Sequence, residues 1–168
     1  MQNPMIQCFS FPALPLDAEA LMRLPEASLD SPFKTTALAM LALLRYETDP
    51  ESCFAMLNAL RGPDPLSPYG KSFIRDRLRG KSYKIRSFFK GATPQNNYTA
   101  MVPYQIQVQA APSSFDSENW ATLYVQSAGA DSARPIRLRR KPSTNQWFIN
   151  EIQCLSDIRL PVEADPWA

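Results

Sequence analysis

The sequence predicts an α+β domain in which N-terminal helices pack on a curved antiparallel sheet. Three observations predict it. In the first half a capping residue is followed by proline at Ser31-Pro32, Asp49-Pro50 and Ser67-Pro68. After Gly80 the apolar pattern changes from helical spacing to a period of two. The stretch Ser132–Gln153 reads as two strands around a polar turn, and the chain then runs to an Asp165-Pro166-Trp167-Ala168 end expected to dock rather than fray.

The elements follow in order. A short helix is expected near Asp17–Leu24. The next starts at Pro32, because the Ser31 hydroxyl can satisfy an orphan amide and proline has no N–H to leave unpaired. Phe33, Ala37, Leu38, Leu41 and Leu44 form its apolar stripe to about Thr48. Met40 and Leu43 widen that stripe, which makes the helix central. A third helix spans Pro50–Arg61, with Phe54, Leu57 and Leu60 on one face and Gly62 as its stop. A fourth spans Pro68–Arg79 and stops at Gly80. Beyond it, Lys81–Phe89 alternates loosely, and Val102, Tyr104, Ile106 and Val108 alternate cleanly. Trp120–Ser127 is rich in β-formers, Ile136 and Leu138 alternate with Arg137 and Arg139, and Trp147–Leu155 closes the series. Gly91–Ala100 and Ala110–Asn119 are long loops. The whole reads as a single domain over residues 1–168, helical over about 17–80 and sheet over about 81–168.

Composition narrows the function classes. Net charge is +2, but residues 1–70 hold four basic and eight acidic side chains, whereas residues 71–168 hold fourteen basic and eight acidic. The N-terminus lacks a basic region, and Pro4, Pro12 and Pro15 interrupt its apolar residues, which argues against a signal peptide. No apolar run approaches the roughly 18 residues of a spanning helix, so no membrane is expected. Cys8, Cys53 and Cys154 are odd in number and widely spaced, as buried free thiols in a reducing compartment would be. A cytoplasmic protein is expected.

Histidine is absent, which removes Ser-His and Cys-His nucleophile activation and most zinc or iron sites. No cofactor and no metal site are expected. Gly70-Lys71-Ser72 ends like a phosphate-binding loop, but Pro65 stands where that loop needs glycine and the tripeptide falls inside a helix. Asp131, Glu151, Asp157 and Asp165 are the candidates for an acid/base pair, which is disfavoured because Asp131-Ser132 and Asp165-Pro166 read as turn and cap residues. Trp120 and Trp147 are expected in the core, and Trp167 as an anchor in a groove.

Candidate binding residues come from three places. The segment Lys71–Lys90 has eight basic residues, one acid and interleaved aromatics, and offers Arg75, Arg79, Lys81, Lys84 and Lys90. Arg137 and Arg139 share a strand face opposite Ile136 and Leu138. Asn96, Asn97 and Tyr98 lie in a loop, where their donors and acceptors are free to recognise a partner or to build the turn.

Three stretches, Ser87–Thr99 (SFFKGATPQNNYT), Ala130–Lys141 (ADSARPIRLRRK) and Trp147–Ala168, resemble an uncharacterised bacterial domain family over roughly residues 80–168. The resemblance implies bacterial origin and a shared fold, with no activity to carry over. The ending, Arg137–Lys141 followed by Trp147-Phe148-Ile149 and Ile152, also resembles the last hairpin of the NTF2-like (SnoaL-like) cone. That likeness implies helices packed into a curved sheet; the usual Asp/His pocket pair has no histidine here.

The function expected is a non-catalytic binding or protein-interaction module whose partner is another protein. One alternative is small-molecule binding, or a histidine-independent enzyme, with a pocket in the curved sheet. Another is nucleic-acid or phosphate binding through residues 71–90 and 134–141, which is disfavoured and requires both segments on one face.

Overall fold

Capping chemistry sets the helices. The computed structural model describes residues 6–168; Pro4 lies outside them. Helix α1 (Ala18–Met22) starts where the Asp17 carboxylate accepts from the Ala20 N–H at 2.8 Å. Helix α2 (Pro32–Leu44) is capped by Ser31, whose Oγ accepts from the Phe33 N–H, and a 3-10 turn over Arg45–Glu47 completes the stretch expected to reach Thr48. Helix α3 (Pro50–Arg61) is capped by Asp49, and α4 (Pro68–Leu78) by Ser67. Gly62 and Gly80, with φ of +64° and +67°, turn the chain out of α3 and α4 as L side chains rarely permit.

Five strands make one antiparallel curved sheet in the order β1-β2-β3-β4-β5. They are β1 (Ile6–Phe11), β2 (Tyr104–Ala110), β3 (Trp120–Val125), β4 (Arg134–Lys141) and β5 (Gln146–Ile152). Neighbours in space are neighbours in sequence, except that all helices intervene between β1 and β2. Ile6 pairs with Gln109 and Phe11 with Tyr104. A register shift between Arg137 and Leu138 kinks the β4–β5 hairpin.

Helix α2 is the centre of the molecule. Every residue from Thr35 to Leu43 is buried, and the helix packs on β2, β3, β4 and β5. Val108, Leu123, Val125, Ile136 and Leu138 face it at 0 % exposure, so the helix side of the sheet is filled with side chains. Each such aliphatic side chain contributes about 1.5–3 kcal/mol by leaving water.

Three local expectations differ from the structure. Lys81–Phe89 is not a strand; Tyr83–Arg86 forms helix α5, followed by turns. Its buried residues Ile85, Phe88 and Phe89 stand at i, i+3 and i+4, a helical spacing that the loose alternation concealed. Residues 6–11 form a strand that pairs with β2, although the sheet was expected only from about residue 81. Trp167 is 94 % exposed and plugs no groove, although the chain just before it docks through buried Ile158 and Pro161.

Candidate functional site

The period of two that fills the inner face fixes what stands on the outer one. On β3, Ala121, Leu123 and Val125 point inward, so Trp120, Thr122 and Tyr124 point outward and are half-buried. On β4, Ile136 and Leu138 point inward and Arg137 and Arg139 outward. The register sets Thr122 opposite Arg137 and Trp120 opposite Arg139. Both guanidiniums lie over the Trp120 ring, at 4.5 Å for Arg137 and 5.1 Å for Arg139 from its centroid. Such contacts hold flexible arginines in place and are worth about 0.5–1 kcal/mol each at exposed sites.

These charges are not neutralised within the chain. Among the described residues no carboxylate lies within salt-bridge distance of Arg137, Arg139, Arg140 or Lys141. Glu151 pairs with Arg137 in register but accepts instead from Gln153 Nε2 at 2.7 Å. The face therefore presents two positioned guanidiniums on an aromatic base, beside the glutamines of β2.

The other candidate residues are distributed differently. Arg75 packs on the Phe54 ring of α3 at 5.0 Å and reaches Glu51 at 4.0 Å. With Arg79 and Lys81 it lines a broad cleft in the helical layer that Glu47 and Glu51 also line. Lys84 is a correction. It is 8 % exposed and its Nζ donates to the Leu155 carbonyl at 3.2 Å, so it braces the C-terminal segment and offers no surface charge. Burial, with Lys81 and Arg77 nearby, lowers its pKa. Lys90 is exposed at a groove lined by Cys8, Gln105 and Gln107, away from β4. Arg75, Arg79 and Lys81 thus stand in the helical layer, Arg137 and Arg139 on the outer face of β4, and Lys90 beside the β2 glutamines.

The Asn96-Asn97-Tyr98 group builds its own loop. Asn96 Oδ1 accepts from the Thr93 and Thr99 amides at 2.9 and 3.0 Å, and its Nδ2 donates to the Gly91 carbonyl at 2.7 Å. Asn97 takes φ of +58°, and its carbonyl accepts from Arg86. Tyr98 is fully buried, stacks on Tyr83 with ring centroids 5.7 Å apart, and donates its hydroxyl to the Arg159 carbonyl at 2.7 Å. Tyr98 is therefore corrected from recognition to tail support, while Asn96, which stays exposed, holds the loop.

The thiols divide as well. Cys53 and Cys154 are buried, which pushes both up to about 12 and keeps them protonated; Cys8 is exposed, against expectation. Gly70 and Lys71 lie within α4, where Gly70 N–H donates to the Ser67 cap at 3.0 Å.

Trp120 is the residue that sequence reasoning misplaced. Its parity with Thr122 and Tyr124 was the available signal, outweighed by the burial habit of tryptophan. Arg140 reads only as part of the basic run 134–141 and Phe148 only as part of the closing hairpin, because the approach of the turn after α3 that joins them in one cleft has no mark in the sequence.

A family model described as Domain of unknown function (DUF6935) matches residues 13–162. No curated protein and no solved structure matches the chain, so the NTF2-like resemblance rests on the helix-and-sheet order and the closing hairpin alone.

Proposed function

The chain belongs to the DUF6935 family, and we propose that it is a non-catalytic binding module that meets an acidic surface of a partner protein on its uncovered sheet face. One observation carries the reading: Arg137 and Arg139 are held over Trp120, and among the described residues no carboxylate lies within salt-bridge distance of either. A guanidinium fixed in advance loses less freedom on pairing with a carboxylate, and its planar fork suits that geometry. One further feature supports it. The inner side of the sheet is filled by side chains packed against α2.

The test compares the wild-type protein with a Thr122→Glu/Arg137→Glu variant, each immobilised and exposed to an extract of the source organism at low and high salt. A protein retained by the wild type, shed as salt rises and lost to the variant is the expected result. Equal retention by both proteins sinks the proposal.

A further inference from the structure

The β5 edge carries a cleft of ≈ 260 Å³ where the turn after α3 meets the β4–β5 hairpin. Its apolar part is formed by Pro63, Pro142, Ile149 and the Phe148 ring. That ring sits directly against Gly62, where an added Cβ would come within 2.7 Å of its Cδ1. Gly62 also has φ of +64°, so the close approach and the turn both favour glycine. The ring is thereby held in place.

Four cationic residues, Arg61, Arg139, Arg140 and Lys141, line the same cleft with one carboxylate, Asp64. Arg61 is occupied: its Nε donates to the Asp64 carbonyl at 2.8 Å and its Nη1 to the Asn150 carbonyl at 2.9 Å. Asp64 stands loosely beside it at 3.8 Å. Arg140 is fixed by neutral acceptors, Asn145 Oδ1 at 2.7 Å and Asn119 Oδ1 at 3.0 Å, which orient its guanidinium without cancelling its charge. Arg139 and Lys141 are exposed, with no carboxylate within salt-bridge distance among the described residues. A ring packed on Gly62, an apolar wall and the exposed Lys141 line one small cavity, with Arg139 and Arg140 at its margin.

From this juxtaposition we infer that the cleft is a binding site for a small planar ring bearing a terminal anion. The ring lies against Phe148 and the two prolines, and the anion meets Lys141, with Arg139 and Arg140 adding positive charge from the margin. A nucleoside monophosphate and an aromatic carboxylate share this chemistry. The site extends the binding reading to the margin of the same sheet face, with Arg139 common to both.

Isothermal titration of the full chain with adenosine monophosphate and with indole-3-carboxylate tests it, with adenosine and inorganic phosphate as the two halves of the first probe. At least one of the two ring anions is expected to bind 1:1 with Kd below about 1 mM, and whichever binds identifies the source. Lys141→Glu, at an exposed position, is expected to weaken that binding about tenfold, the loss of one charge-assisted contact. Phe148→Leu is expected to weaken the ring anion while leaving inorganic phosphate unchanged; if that variant does not fold, Lys141→Glu decides alone. No binding of either ring anion by about 10 mM, or equal binding by Lys141→Glu, overturns the inference. Probe failure with intact face-dependent capture removes the cleft alone. Probe binding without such capture removes the partner-protein reading alone.

Discussion

Tyr98 shows how a single side chain joins distant parts of this molecule. Its backbone takes φ of +51°, its ring stacks on Tyr83, and its hydroxyl reaches the carbonyl of Arg159 in the C-terminal segment. Gly129 gives it room, since a Cβ there would also come within 2.8 Å of Ile158 Cγ2. Tyr98→Phe leaves the Arg159 carbonyl without this donor and is expected to cost about 1–2 kcal/mol, read as a lower urea midpoint with unchanged m. An unchanged midpoint would mean that water replaces the hydroxyl. The sequence displayed Asn96-Asn97-Tyr98 as polar loop residues with two readings, recognition or turn chemistry. What decided between them was a carbonyl sixty-one positions away, which no local pattern announces.

At the scale of the element, much was legible. Ser31, Asp49 and Ser67 cap helices as their side chains and the following prolines require, because capping is settled within about four residues. Asp49 makes this testable. Hydrogen bonds from the Ser52 hydroxyl and amide hold its carboxyl below its ordinary value. Its folded pKa is lower than its unfolded one, so its stabilisation is full above that value and is lost as pH falls through the folded pKa. Asp49→Asn keeps a capping oxygen but cannot titrate. Its melting temperature is expected to fall less steeply than that of the wild type as pH drops below the unfolded pKa, measured by circular dichroism in matched buffers. Parallel curves would remove Asp49 as a source of acid sensitivity. Residues 81–89 failed at this same scale, because a four-residue helix followed by turns gives too few positions for its period to stand out.

Across the whole molecule, β1 closes a sheet whose other four strands lie almost a hundred residues later. Phe11, at its end, is 1 % exposed and belongs to the main core. Phe11→Ala is expected to cost about 3–5 kcal/mol, and to lower the melting temperature by roughly 6–20 °C for a chain of this size. A loss under about 1 kcal/mol, small for a buried aromatic, would mean that β1 adds little to the fold. The charge asymmetry also takes its form here. The basic half of the sequence is divided, because Arg75, Arg79 and Lys81 line the helical cleft and Lys84 is buried, while β4 turns Arg137 and Arg139 to the outer sheet face. Sequence alone determined the fold class, the capped helices, the central place of α2 and the alternation that separates Arg137 from Ile136, since each follows from a short-range period or a neighbouring group. Only the tertiary structure decided that Trp120 underlies two arginines, that Lys84 and Tyr98 are buried, and that Phe148 meets Gly62 in a cationic cleft. Those outcomes depend on strand register and on contacts between distant segments, which a linear pattern does not encode.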